Sequence, residues 1–369
     1  MLNNKSIAVV VPAFNEAEQI GRVIETMPDF VDRIIVVNDC SRDETPLIVK
    51  NYRTSTFNEF KSKSLRTVPI HKKKHGLYSA AEEILINKNR EEIRYFAPSA
   101  IENTDPENDR IILISLQKNS GVGAAIARGY KWCKDHEIDC TAVMAGDGQM
   151  DPEELESICN PVVKENIDYV KGNRLKHGSA FEVIPKTRFL GNSILSILTK
   201  IASGYWHVSD TQTGFTAISL NALNSIRLYK IYSSYGMPND LLVKLNIAFC
   251  TLKEVTIKPV YNVGEKSKMK IFRIILPISF LLFKSFFKRL WIKYLIKDFH
   301  PLFLLYHLGF VLLLTSIPFL VKLLINMFKV GVVSTEQIVI FFVFLTITGL
   351  QSLFFAMWMD IQDNERLEK

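Results

Sequence analysis

IAVVVPAFNEAEQIGRVIETM (7–27) holds the pattern that decides the fold. Ile7 to Val11 is a continuous apolar run of buried-strand length, and it ends in a polar cluster, Pro12-Ala13-Phe14-Asn15-Glu16. A helix from about Glu16 to Met27 follows. Ile20, Val23, Ile24 and Met27 line one face of it, and Asn15 with Glu18 makes an N-x-x-E start resembling a capping box.

The same unit recurs down the chain. Ile34 to Val37 reads as a strand ending at Asn38-Asp39, after which Thr45 and Pro46 open a helix. Ile111 to Ser115 runs into Asn119-Ser120-Gly121 and a helix over about Gly123 to Lys134. Thr141 to Met144 leads to Gly146-Asp147-Gly148-Gln149, and Asp151-Pro152-Glu153-Glu154 starts the next helix with acids at its positive end. Tyr169 to Gly172 and Glu254 to Val260 are further strands. Such alternation predicts an α/β protein with a mostly parallel sheet covered on both faces. All four polar clusters then share the strand-end edge where open α/β folds bind ligands. There is no G-x-G-x-x-G and no G-x-x-x-x-G-K-[ST], so neither a dinucleotide fold nor a P-loop is expected.

Charge places the membrane. The chain of 369 residues carries a net +7, and residues 264–300, with nine basic side chains against two acidic, account for all of it. Basicity confined to one segment excludes a general affinity for nucleic acid. Beyond it, Pro301 to Val321 carries only His307 as a group that charges near neutrality, and Gln337 to Met359 carries none. At 1.5 Å per residue these stretches span roughly 31–35 Å, enough to cross a bilayer. Only Lys322 to Glu336 joins them, so they form a hairpin, and the cation-rich flank puts the N-terminal part and both termini on the cytoplasmic side of the cell membrane. No apolar core of signal-peptide length precedes Pro12, so export of the N-terminal part is not expected. In Ile271 to Lys297 the series Lys284/Lys288 and Arg289/Lys293/Lys297 fall on different helix faces. Two short interfacial helices, one starting near Pro277, would let these cations reach lipid headgroups. The five cysteines form no C-x-x-C and are expected to be reduced and buried.

The polar clusters sit in blocks that resemble glycosyltransferase family 2, and more narrowly the dolichyl- and polyprenyl-phosphate glycosyltransferases. The blocks are VVVPAFNEAEQI (9–20), VVNDCSRDET (36–45), NSGVGAAIARGY (119–130), MAGDGQMDPEEL (144–155), VKGNR (170–174), DTQTGF (210–215), YGMPNDLLVKL (235–245) and GEKSKMKI (264–271). The resemblance implies a GT-A nucleotide-sugar-binding domain that moves one sugar from a nucleotide donor to a polyprenyl phosphate with inversion. It implies nucleotide contacts at Pro12, Phe14, Glu16 and Asp39, and Mg²⁺ or Mn²⁺ held by Asp147 and Gln149. It also implies catalytic parts for Asp147, Asp210, Arg174, Arg188 and Lys268, with the acceptor phosphate at Arg188, Ser267 and Lys268. Ala145 stands where that family has the first Asp of its D-x-D motif. A catalytically silent nucleotide-binding scaffold is therefore an alternative. A processive polysaccharide synthase is another, though the chain lacks Q-x-x-R-W and further spans.

The expected division is a catalytic domain over 1–265 with an insertion at 53–108, basic juxtamembrane helices over 266–300, two spans over 301–360 and a tail over 361–369. Asp240, which precedes an apolar helix, is a further acidic candidate or, equally, a simple helix start. The partners are a nucleotide-sugar, a polyprenyl phosphate and the bilayer, with a homo-oligomer left open.

Overall fold

All seven residues of β1 (Ile7–Ala13) are buried, as are all six of β2 (Arg33–Asn38). Strands hidden on both faces belong inside a sheet with helices on each side. The computed structural model, which describes residues 1–54, 79–184, 186–260, 271–328 and 336–369, has that layout. After β1 comes α1 (Ile20–Glu25), and after β2 come α2 (Thr45–Thr54) and α3 (Ser79–Glu91). Then follow β3 (Ser99–Ile101), β4 (Ile111–Leu116), α4 (Val122–Asp135), β5 (Cys140–Val143), α5 (Leu155–Lys164) and β6 (Tyr169–Asn173). The sheet-bearing part closes with α6 (Ala180–Val183), α7 (Lys186–Ser203), β7 (Thr216–Ser219), α8 (Leu220–Ser225), α9 (Met237–Ile247) and β8 (Leu252–Thr256).

The sheet order is β3-β4-β2-β1-β5-β7-β6-β8. Strands β4, β2, β1 and β5 are parallel, as is β6 with β8, but β7 runs antiparallel between β5 and β6, and β3 antiparallel beside β4. Six of the eight strands therefore point the same way, so the sheet is mostly parallel, as expected, and only β3 and β7 make it mixed. Reversal of β7 has a functional consequence: it starts where the parallel strands end, so residues 210–215 arrive at the same edge as the four polar clusters. Alternate residues of the strands feed two cores. Ala8, Val10, Ile35 and Val37 pack with α4, α8 and α9, whereas Ile7, Val9, Val11, Ile34 and Val36 pack with α1, α2 and α5.

Packing between α4 and β1 is close. A Cβ on Gly129 would lie 2.4 Å from Val10 Cγ1. Gly129→Ala is therefore expected to cost about 1–3 kcal/mol through overpacking, read as a lower midpoint in chemical denaturation.

Helix α1 is shorter than its apolar pattern suggests, and the capping box is not formed. Asn15 adopts φ 55°, its Oδ1 accepts from Arg42 N at 2.8 Å, and α1 begins only after Gln19. Asp151 does cap the turn that leads into α5, accepting from Glu153 N at 3.0 Å. Within the expected insertion 53–108, β3 extends the sheet, so part of it is structural framework; residues 55–78 lie outside the described residues.

The C-terminal third begins with α10 (Ile271–Trp291), one helix running through Pro277, and continues as a π-helical turn over Ile292–Lys297. This replaces the two separate interfacial helices. Ile278, Leu282, Phe286 and Leu290 recur every four residues and are all buried, so packing offsets the hydrogen bond that Pro277 removes. Arg289 and Lys293 do not reach outward: both are fully buried, while Lys284, Lys288 and Lys297 are exposed. The pair turns inward because acids on the last helix face it.

α11 (Leu302–Phe328) and α12 (Glu336–Glu365) have a mean hydropathy of 2.3 and only 11% burial over their most apolar stretch, so both are long and apolar enough to cross a membrane. A soluble core helix of that composition would be buried. Membrane association follows from this pair. The chain end is no free tail. Helix α12 runs on to Glu365, Leu367 O accepts from Leu252 N at 2.7 Å, and Lys369 N donates to Leu252 O at 2.9 Å. Glu368 accepts from Trp206 N and His207 N. Of the cysteines, Cys40 is half-buried and the other four are buried, all as thiols.

Candidate active site

The ligand edge has two halves. The first is built on the ends of β1, β2 and β5. Four hydrogen bonds knit the segment after β1 to the one after β2: Asn15 N to Ser41 Oγ, Glu16 N to Thr45 Oγ1, Ala17 N to Asp43 Oδ2 and Arg42 N to Asn15 Oδ1. Gly146 N then bonds Pro12 O at 3.2 Å, which brings the Asp147 loop against the end of β1. Pro12 is buried, and Phe14 and Glu16 are half-buried on this rim.

Asp39 is 4% exposed and accepts from Ser120 N at 2.6 Å and Gly121 N at 2.8 Å, one bond to each carboxylate oxygen. Burial pushes its carboxyl above the usual range, and the two amides oppose that. Gly123 N and Ala124 N bond Ser233 O. The start of α4 is therefore occupied by Asp39 and a carbonyl, the physical reason its short glycine turn is no phosphate cradle.

Asp147 sits half-buried in the turn after β5, where its Oδ1 accepts from Gln149 N at 3.1 Å. Ala145 N points at Met150 Sδ, 3.2 Å away. Among the described residues no group of three His, Cys, Asp or Glu side chains could hold a metal. One carboxylate with a neighbouring amide oxygen still fits a hard divalent cation whose other ligands come from a substrate diphosphate, a common arrangement for Mg²⁺.

The second half is a cavity of about 280 Å³. Gln149, Arg174 and Gln212 supply polar groups, Leu195 comes from α7, Pro238 from α9 and Ile278 from α10. Arg174 is held by Asp210 in a fork, Nε to Oδ2 at 2.8 Å and Nη2 to Oδ1 at 3.1 Å. Asp210, 1% exposed, also accepts from Gln212 N and Thr213 N. It is not among the residues that line the cavity; its carboxylate holds Arg174 and the 210–215 segment. Burial alone would raise its carboxyl, but the Arg174 charge and hydrogen bonds, with Lys171 behind, hold it below the usual range. Beneath the site Lys171 is fully buried, donates to Thr213 O, and is pushed by desolvation down to about 8.

That depressed carboxyl has a testable sign. Its contribution to stability is complete above the unfolded value of 3.8 and disappears as pH falls through the lower folded value. Thermal midpoints of the wild type are expected to drop steeply below about pH 4, and Asp210→Asn is expected to lose that extra steepness.

Asp240 lies in the first turn of α9, three residues past its start at Met237, where it accepts from Tyr232 N at 2.8 Å and pairs with Lys244 one turn on. Arg188 falls in the first turn of α7, its side chain outside the described residues, as are Ser267 and Lys268. The geometry adds Lys171 and Gln212, which lie within the VKGNR and DTQTGF blocks without having been singled out. It also adds Asn192 and Ile278, for which no local signal exists.

The strand-end edge thus opens beside a mostly apolar cavity that α10 helps to wall. The sequence model of glycosyl transferase family 2 matches residues 8–85 and 87–227, and the chain belongs to that family. It is 27% identical over 265 residues, 70% of this chain and 87% of the relative, to a UDP-N-acetylglucosamine–dolichyl-phosphate N-acetylglucosaminyltransferase of Methanococcus voltae. Over 164 residues, 44% of this chain and 66% of the relative, it is 26% identical to an undecaprenyl-phosphate mannosyltransferase of Micrococcus luteus. Glucosyl-3-phosphoglycerate synthase of Mycobacterium tuberculosis, solved with Mn²⁺, UDP and glucosyl-3-phosphoglycerate, superposes with a TM-score of 0.46 at 15% identity, covering 78% of this chain and 80% of that one.

Proposed function

We propose that the protein transfers one sugar from a nucleotide diphosphate-sugar to a polyprenyl phosphate at the cytoplasmic membrane face. The observation that carries this reading is the cavity in which Arg174 and Gln149 face walls from α7, α9 and α10, the last leading directly into the apolar hairpin. Both named relatives act on a polyprenyl phosphate.

In this reading Pro12, Phe14, Glu16 and Asp39 border the nucleotide, with Asp39 holding the segment before α4 in place. Asp147 and Gln149 would hold Mg²⁺ or Mn²⁺. Bound there, the ion offsets charge on the departing diphosphate. The acceptor phosphate has a second pKa near 6 and is largely dianionic at pH 7, so no strong general base is required. Its oxygen attacks the anomeric carbon as the bond to the β-phosphate breaks, inverting that centre, and the nucleoside diphosphate leaves. Arg174, aimed by Asp210, meets phosphate through the part of its guanidinium that faces the cavity. Arg188, Ser267 and Lys268 are assigned to the acceptor phosphate.

Ala145 favours one second reading, a silent nucleotide-binding scaffold. The test is to incubate detergent-solubilised protein with polyprenyl phosphate, Mg²⁺ or Mn²⁺ and a panel of labelled nucleotide sugars, then extract with organic solvent. Label in the lipid phase supports transfer; nucleotide binding with no lipid-linked label under any donor supports the scaffold.

A further inference from the structure

One buried polar network ties the C-terminal ends of two helices that wall the cavity, α7 and α9, to the last turns of α12. Arg289 in α10 donates to both Asp360 oxygens at 2.7 Å, and also to Ala202 O at 3.0 Å and Ile201 O at 3.1 Å. Those carbonyls belong to the final turn of α7, where a helix has no amide of its own to offer them. One turn further along α12, Asn364 Oδ1 accepts from Asn246 Nδ2 of α9 at 2.7 Å and from Lys293 Nζ at 2.5 Å. Lys293 also donates to Asn246 Oδ1 at 3.1 Å and pairs with Asp363 at 3.2 Å. Tyr294 Oη closes the set by donating to Asp360 Oδ1 at 2.7 Å. Asn246, Arg289, Lys293, Asp360 and Asn364 have no exposed surface.

The backbone makes room for this network. Gly204, just past α7, takes φ +78°, and a Cβ there would come within 2.6 Å of Arg289 Nη1. The same two helices border the cavity, α7 through Asn192 and Leu195 near its middle and α9 through Met237 and Pro238 at its start. A helix of 18 residues is about 27 Å long and close to rigid, so fixing one end sets the direction of the other.

We propose that Asp360 and Asn364 are positioning residues of the transfer reaction: the returning end of the membrane hairpin sets the spacing of α7 and α9, and so the fit of the acceptor cavity. The inference rests on the acceptor assignment above. It assigns the hairpin a part in acceptor affinity as well as in anchoring. The nucleotide half, built on β1, β2 and β5, should be insensitive to it.

The test exchanges the buried pair for apolar side chains, Arg289→Met with Asp360→Leu. Removing both charges together is often neutral for stability, whereas removing one strands the other. The exchange also deletes the ties to Ile201 O and Ala202 O. Asn364→Leu, which removes no charge, is a second variant should the first fail to fold. In each the expected result is a KM for polyprenyl phosphate raised by about tenfold with the KM for nucleotide sugar within about twofold, together with faster amide hydrogen exchange in the last turns of α7 and α9. Unchanged KM values and unchanged protection in a folded variant would overturn the proposal and leave the network as glue. If the wild type transfers nothing to polyprenyl phosphate, the acceptor assignment fails, and the exchange data alone decide whether α12 positions these helices.

Discussion

Asp147→Asn is expected to lower kcat by about two to three orders of magnitude, the size of effect seen when one electrostatic stabiliser of a developing anion is lost. The substitution is nearly isosteric and keeps an oxygen able to accept from Gln149 N, so the turn after β5 should survive with an unchanged thermal midpoint. What disappears is the only side-chain charge among Ala145, Asp147 and Gln149. With Ala145 beside it there is no second acid in the motif to take over, so the loss should exceed that of the same change in a site with two carboxylates. Initial rates at saturating donor and acceptor, with Mn²⁺ titrated into each protein, check it. Undiminished turnover, with unaltered Mn²⁺ dependence, would move the metal assignment elsewhere.

Arg174→Ala carries the second large effect, and here stability moves with activity. The change leaves the buried Asp210 carboxylate with only Lys171 and backbone amides against its charge, which is expected to cost at most about 3–5 kcal/mol, the range for removing one partner of a fully buried pair. Arg174→Lys retains a charge but cannot make the two-armed contact with Asp210, so it should fold better than the alanine variant while transfer stays well below wild type. Denaturation midpoints and rates on the same preparations separate the two. Equal stability of Arg174→Ala and wild type would show that Asp210 is satisfied without the guanidinium.

The central sheet was legible because its signal is local. Val9 to Val11, Ile34 to Val37 and Ile111 to Ile114 are apolar runs that need no knowledge of what packs on them. β7 escaped because Thr216–Ser219 is four residues long with two hydroxyl side chains, and its reversal depends on pairing with β5 and β6. The capping box failed for a similar reason: Asn15 spends its side chain on Arg42 N, a partner in another loop. Arg289 and Lys293 read as headgroup contacts because the acids that neutralise them, Asp360 and Asp363, lie about 70 residues away. Spacing along one helix reports only that helix. In the site, the motif blocks carried Arg174 and Asp210 but not their mutual pairing, because the two lie 36 residues apart.

The docking of Leu367 to Lys369 along Leu252 has a further outcome for how the molecule behaves among its neighbours. The last strand of a sheet is an open invitation to strands from other molecules. On the β8 side the amide and carbonyl of Leu252 are already taken by the chain's own end, so an incoming segment would first have to peel that end away. Sticky association by sheet extension is therefore resisted at the start of β8.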